Sequence, residues 1–173
     1  MSPLSLNTDR LTLRKPEARD FDAFADFVSR DRSKWVGGPS TREEAKEGFA
    51  ENLRHWDEHG YGYFHVERRE DAAALGRVGI RKSNHRPEPE VAYSLYADEF
   101  EGHGYATEAA IAVRHWGYHT LGLPKLVSYI DPANIASAAV ATRLNARPDG
   151  TAPGWNAHPD LTVYRHPAPE DCL

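Results

Sequence analysis

EVAYSLYADEFEGHGYATEAA, residues 90–110, decides the fold. Its first seven residues carry the β-branched and aromatic side chains of a strand, and its last residues are the small ones that open a helix. Gly102-His103-Gly104 lies between the two. The helical pattern continues through Val113, Trp116 and Gly117 to Gly122-Leu123-Pro124, and "KLVSYI", 125–130, is a strand again. A strand, helix and strand of this length need a right-handed crossover, so 90–96 and 125–130 are expected to be parallel neighbours or near neighbours.

Outward from this unit the connections shorten. "YGYFHVERR" from Tyr61, "ALGRVGIRK" and "EVAYSLY" are separated by short polar turns, the pattern of an antiparallel meander. Leu11 and Leu13 alternate as a short strand. Asp20 then precedes Phe21, Phe24, Ala25 and Val28 at helical spacing. Thr41 and Glu44 form a capping-box pair ahead of Ala45, Phe49, Leu53 and Trp56, in a helix expected to stop at Gly60. A further helix is expected from about Asn134 to Leu144, and "DLTVYR" is the last strand. The fold class is α/β in the mixed α+β sense: a twisted, mostly antiparallel sheet with one parallel strand pair, flanked by helices. The chain is expected to form one domain, 1–173, with a flexible tail from about 167, and solvated Cys172 within it.

Composition narrows the partners. Lys plus Arg number 21 against 26 Asp plus Glu, a net charge of −5 without a basic stripe, so nucleic acid is not the expected partner. No window approaches the roughly 18 to 20 apolar residues of a membrane span, and the N-terminus has no apolar signal core; a cytoplasmic location is expected. The single cysteine excludes an intrachain disulfide and argues against a thiol-ligated metal. His115 and His119 stand four apart on the central helix, but the Glu of H-E-x-x-H is absent, and no metal is expected.

A glycine-rich turn feeding a helix N-terminus suits an anion, because unpaired N–H groups and the positive dipole end converge there. A Walker loop would need Gly-Lys-Ser/Thr, where Tyr105 and Ala106 follow Gly104. A dinucleotide fingerprint would need a small third residue where Thr107 stands. Taken alone, Gly-x-Gly also fits a helix entry that holds no ligand.

The wider pattern resembles the GNAT superfamily of acyl-CoA-dependent N-acyltransferases. "DEFEGHGYATEAA" keeps the two glycines of that family's Gln/Arg-x-x-Gly-x-Gly/Ala loop, with Glu99 in place of the usual Gln or Arg, and Asn134-Ile135-Ala136-Ser137 matches its Asn-x-x-Ser signature. The opening "LNTDRLTLRKPEARDFDAFADF" and "ALGRVGI" look like the RimJ/RimL-type branch, which acetylates protein N-termini. The resemblance implies a GNAT-like sheet whose parallel strands splay apart at their C-terminal ends. Acetyl-CoA, as co-substrate, would lie with its diphosphate on the N–H groups of Gly102, His103, Gly104, Tyr105 and Ala106, and with its pantetheine along the backbone near Leu95 and Tyr96. His103 would add charge when protonated. Asn134 and Ser137 would also face the cofactor.

In several members of that family an acidic residue at the position of Glu90 acts as base, and in the RimL-like relatives the serine at Ser137 can protonate the leaving thiolate; read from the residues alone, Glu90 also fits a solvated carboxylate at the end of a polar turn and Ser137 a helix-start cap. The tyrosine many relatives use instead is replaced by Ala141. Trp35, in the loop that borders the acceptor in relatives, and Tyr93 are the expected acceptor contacts, drawn from a set that also includes Trp56, Tyr61, Tyr63 and Trp155. The acceptor would be a primary amine. An α-amine is roughly 10 to 15% neutral at pH 7 and a lysine under about 0.1%, deficits of about 1 and about 4.6 kcal/mol, so an N-terminal acceptor demands only a modest base. A polyamine or aminoglycoside acceptor, a CoA-binding module without catalysis, and a homodimer all remain compatible with the sequence.

Overall fold

Thr41 and Glu44 close the expected capping box: Glu44 N–H donates to Thr41 Oγ1 at 3.2 Å and Thr41 N–H to Glu44 Oε2 at 2.7 Å. The helix they start ends at Gly60, whose φ of +74° suits a residue without Cβ. The computed structural model describes residues 4–154 and 159–172. In chain order the elements are β1 (Ser5–Asn7), β2 (Leu11–Arg14), α1 (Phe21–Val28), α2 (Arg42–His59), β3 (Tyr63–Arg68) and β4 (Ala74–Arg81). They continue as β5 (Glu90–Leu95), α3 (Tyr105–His119), β6 (Val127–Ile130), α4 (Ile135–Arg143), β7 (Arg147–Ala152) and β8 (Leu161–Arg165). Among the described residues no helix is long and apolar enough to cross a membrane.

One sheet runs in the order β1-β2-β3-β4-β5-β6-β8-β7. Every adjacent pair is antiparallel except β5 with β6, the parallel pair expected from the crossover. Strands β1 and β7 were not foreseen. Neither has an apolar alternation: β1 is three residues long, and β7 contains Pro148 and Gly150 with a register shift between Pro148 and Thr151. Both lie at edges of the sheet, where short, proline-bearing or bulged strands are tolerated.

Pleating divides the side chains between two faces. Leu11, Leu13, Phe64, Val66, Val78, Ile80 and Val91 meet Ala109, Ala110, Val113 and Trp116 of α3 in the main core. The opposite face carries Tyr63, His65, Arg77 and Arg81 and is roofed by α1 and α2, whose Phe24, Phe27 and Phe49 pack with Tyr96. The C-terminal residues are held rather than trailing. Tyr118 donates its hydroxyl to Pro167 O at 2.7 Å, residues Pro169–Asp171 form a turn, and Cys172 packs partly buried against the main core.

The parallel pair is short. Glu90 and Val127 are its single registered pair, with Val127 N–H donating to Pro89 O at 3.3 Å. Beyond that point a side chain replaces the ladder: Ser128 Oγ donates to Val91 O at 2.6 Å. Ser128 is in turn contacted by His166 Nε2 at 2.9 Å, and Arg114 Nη1 donates to His166 Nδ1 at 3.2 Å and to Leu144 O at 2.5 Å. Because the Ser128 proton is engaged with Val91 and Arg114 can only donate, His166 is the neutral tautomer with its proton on Nε2. Burial, reinforced by the Arg114 charge, pushes its pKa down to about 3.

That depressed value fixes a sign. Below about pH 6.5 the unfolded chain binds a proton at His166 that the folded protein refuses, so stability falls as pH drops from about 6.5 toward 3. His166→Gln is expected to reduce the pH slope of unfolding free energy in that window by close to one proton, about 1.4 kcal/mol per pH unit. Denaturant melts at pH 4.5, 5.5 and 6.5 measure it; equal slopes for both proteins would refute the assignment.

Candidate active site

The mouth of the β5–β6 splay opens onto the glycine turn. Gly102 and Gly104 have φ of +78° and +80°, and Gly104 is the N-cap of α3 with no side-chain cap of its own. A Cβ on Gly102 would meet open space, whereas one on Gly104 would stand 3.5 Å from the Arg10 guanidinium. The first N–H groups of α3 are therefore exposed to a ligand. Tyr105 and Ala106 begin the helix with their side chains buried, and His103 is exposed and stacks on Tyr105 at 5.5 Å.

Three further groups complete this end, none of them visible in the local pattern. Arg10 lies over the Tyr105 ring at 4.6 Å and donates through Nε to Glu108 Oε2 at 2.7 Å, placing a cation beside the loop. Thr107, in the first turn of α3, has a buried hydroxyl with no hydrogen-bond partner among the described residues. Arg32, from the turn after α1, donates to Leu95 O at 3.0 Å and Glu101 Oε1 at 2.7 Å and also pairs with Asp98. It ties the α1–α2 loop to the end of β5 and to the residue before Gly102.

The exposed edge of β5 can be read from its ladder. Tyr96 N–H donates to Leu75 O at 2.9 Å, so it is engaged with β4 and is not an edge group. The alternation of an antiparallel ladder then turns the N–H groups of Tyr93 and Leu95 toward the opening. Of the two residues expected to meet pantetheine, Leu95 has the suitable orientation and Tyr96 does not. The Tyr96 ring instead stacks on Phe27 at 4.9 Å.

Glu90 and Tyr93 fall on opposite faces of β5. Glu90, opposite Arg81 in register, lies half-buried on the α1/α2 face. Burial pushes its carboxyl above the usual range, against the pull of Arg81, Arg86 and the Tyr129 backbone N–H. Tyr93 projects to the other face, where its hydroxyl donates to Ser137 O at 2.7 Å. Tyr93 was expected beside the acceptor; its parity on the strand puts it against α4 instead. Asn134 caps α4 by accepting from Ser137 N–H at 3.2 Å. This leaves Ser137 Oγ without a hydrogen-bond partner among the described residues, so the serine is not the cap.

Trp35 lies half-exposed in the turn after α1, with Lys34 Nζ 5.0 Å from its ring centroid, and borders the same cleft as Glu90, Ser137 and the glycine loop. Tyr63 lines it too. Trp56 does not: it is core, donating Nε1–H to Tyr63 O at 2.8 Å, and Tyr61 packs on His55 and His59. Trp155 lies outside the described residues. The cleft measures about 2550 Å³, beyond the roughly 300 to 1,000 Å³ of a single small-molecule pocket, which suits two ligands meeting end to end.

Two groupings resemble metal sites. His115 and His119 have ring centroids 4.3 Å apart, yet no third ligand joins them among the described residues. Asp20, His65 and Glu67 converge within 4.8 Å, but Arg14 lies among them, donating to both Asp20 oxygens at 2.7 and 2.8 Å and to Glu67 at 2.5 Å. The arginine supplies the positive charge a cation would bring.

A strand pair splays over a glycine-capped helix, with a carboxylate on one face and a serine hydroxyl on the other. The Acetyltransferase (GNAT) domain family matches residues 10–147, and the chain belongs to that family; it is an acyltransferase. An acetyltransferase structure from Agrobacterium tumefaciens str. C58 is 41% identical, with 96% of this chain and 95% of that one covered at a TM-score of 0.85. The fold is also that of the ribosomal-protein-S5-alanine acetyltransferase from Vibrio fischeri, at 21% identity and a TM-score of 0.75 over 98% and 99% of the chains. RimL, a ribosomal L7/L12 α-N-protein acetyltransferase solved with coenzyme A, shares the fold at 16% identity and a TM-score of 0.79, over 94% and 97%.

The residues present fit coenzyme A at the loop: two left-handed glycines, free helix N–H groups, an adjacent cation and an orphaned buried hydroxyl. Thr107→Val should keep the melting temperature of the free protein and weaken acetyl-CoA binding about tenfold or more, as expected for a hydrogen bond to a charged group. Gly104→Val, strained at its positive φ, should lose the acetyl-CoA-induced rise in melting temperature altogether. Calorimetric titration of both variants checks this; unchanged affinity in folded Gly104→Val would remove the loop from the cofactor site.

Proposed function

We propose that the protein transfers acetyl from acetyl-CoA to a primary amine, the α-amine of a protein N-terminus, within a single domain. The observation that carries this reading is the placing of Glu90 and Ser137 on opposite faces of β5 where β5 and β6 part. Acetyl-CoA, when bound, supplies the activated acetyl thioester. Gly102 to Ala106 and Thr107 hold its diphosphate, and the N–H groups of Tyr93 and Leu95 pair with its pantetheine amides as an added strand would.

On the α1/α2 face Glu90 takes the proton of the attacking amine. Burial raises its pKa toward that of an α-amine, which improves proton transfer. As the C–N bond forms and the C–S bond breaks, Ser137 on the α4 face gives its Oγ proton to the departing sulfur and regains one from solvent. Asn134 keeps the serine available by taking over the helix cap. Positioning supplies much of the remaining rate, since an α-amine needs only about 1 kcal/mol of help with deprotonation at pH 7.

The acceptor side favours this reading over a polyamine or aminoglycoside. Although the wider cleft carries charges of both signs, Arg81 and Arg86 are the charges that act on Glu90 and Arg77 lies on the same sheet face, so a polycationic acceptor reaching Glu90 would meet like charges there.

Glu90→Gln should bind acetyl-CoA normally, lose about tenfold or more in turnover on a peptide α-amine at pH 7, and recover part of it by pH 9 as neutral amine becomes plentiful. A pH–rate series on both proteins tests this; coincident profiles would exclude Glu90 as base. Ser137→Ala should lower kcat at least tenfold with little change in acetyl-CoA affinity. Equal losses in rate and affinity would make Ser137 a cofactor anchor.

A further inference from the structure

Arg77 is 9% exposed, and its guanidinium donates no hydrogen bond and forms no ion pair among the described residues. Its surroundings are aromatic: the guanidinium carbon lies 4.1 Å from the Tyr63 ring centroid, 5.3 Å from Phe24 and 5.9 Å from Phe27. The neighbouring arginines each hold an acceptor through at least one nitrogen, although Arg14 Nε is itself buried without a partner. Arg14 holds Asp20 and Glu67, Arg32 holds Asp98 and Glu101, and Arg81 donates to Asn52 Oδ1 at 3.1 Å. Asp20 borders the same small void as Arg77, but both its oxygens are engaged by Arg14.

A buried Nε–H with no acceptor, on a cation that no carboxylate meets, is a standing cost, offset only in part by its aromatic cage. Arg77 also lines the acceptor cleft. It stands opposite Ser94 in register, and Arg81 stands opposite Glu90, on the same sheet face. Ala92 lies midway, about 6 to 7 Å along the strand from each end. An amine placed over Ala92 between the catalytic carboxylate and the arginine has a positive, hydrogen-bonding group one side chain's length away.

We propose that Arg77 is an acceptor-recognition residue that binds a carboxylate carried close to the acceptor amine. The planar guanidinium, its carbon 4.1 Å from the Tyr63 ring centroid, can donate two parallel N–H bonds to a carboxylate. Two sources share that chemistry: an acidic side chain next to a peptide N-terminus, and the α-carboxylate of a free amino acid. This rests on the acetyl-transfer reading of the cleft and deepens it.

The experiment compares acceptors differing only in the carboxylate. Ser-Asp and Ser-Asn peptides, amidated at the C-terminus, form one arm, and serine against serinamide the other. In at least one arm the wild type should favour the carboxylate in kcat/KM by about tenfold or more, and Arg77→Gln should bring the ratio near one. Arg77→Lys, which keeps the charge but not the fork, should fall between and serves if Arg77→Gln does not fold. Calorimetry with the N-acetylated product peptides reads recognition without turnover. Arg77→Met should raise the melting temperature by on the order of 2 to 4 °C, because a buried N–H without an acceptor and a charge without a counter-ion are replaced by an apolar chain of similar reach. No carboxylate preference in either arm of the wild type, or one that survives Arg77→Gln, overturns the proposal. Absence of turnover on every amine fails the acetyl-transfer reading, and product binding then decides the role of Arg77 by the same comparison.

Discussion

The hydrogen bond from Ser128 Oγ to Val91 O stands where β5 and β6 stop behaving as a sheet. One residue earlier the strands pair through their backbones at Glu90 and Val127, and beyond it the β6-facing edge of β5 is turned toward the opening. A side-chain bond at the fork satisfies the last buried carbonyl without drawing the strands together again. Its own support is buried as well: His166 reaches Ser128, and Arg114 reaches His166 and the carbonyl of Leu144 just after α4. The network therefore joins β6, β8, α3 and the end of α4 at the vertex of the splay. Removing a member would leave buried polar groups unpaired, which costs more than the bond itself contributes.

From that vertex the site follows by geometry. Residues on β5 alternate between faces, so Glu90 and Tyr93 mark an α1/α2 side and an α4 side. Tyr93 fixes α4 through the Ser137 carbonyl, and Asn134 caps the helix so that the Ser137 hydroxyl stays free. At the mouth, the left-handed glycines begin α3, and Arg32 joins the α1–α2 loop to the end of β5. The same arginine ties that loop to Glu101, the residue preceding Gly102. One strand edge, one helix terminus and one loop carry most of the proposed chemistry.

Much of this was legible locally. The glycines, the Asn134–Ser137 pair, the capping box at Thr41 and the crossover that makes β5 and β6 parallel all depend on spacing within a few residues or on chain connectivity. The side of β5 on which Tyr93 projects was also available, since an odd separation from Glu90 on one strand means opposite faces. What could not be read were contacts between distant residues. Arg10 meets Glu108 across 98 positions, and Arg32 meets Glu101 across 69. No local pattern announces that Arg77 is caged by Phe24, Phe27 and Tyr63, because α1 and β3, both distant in sequence from β4, supply its surroundings. The edge strands β1 and β7 escaped for another reason: they bury little, so selection for an apolar alternation is weak there.

The central claim is that the freed edge of β5 is the slot in which the cofactor's amide chain lies. Amide hydrogen exchange of Tyr93, Leu95 and Tyr96, with and without saturating acetyl-CoA, measures this directly. The account predicts that Tyr93 and Leu95 gain strong protection on binding, while Tyr96, already bonded to Leu75, changes no more than the surrounding β4 amides. Saturation confirmed by a rise in melting temperature with no added protection at Tyr93 and Leu95 would contradict it.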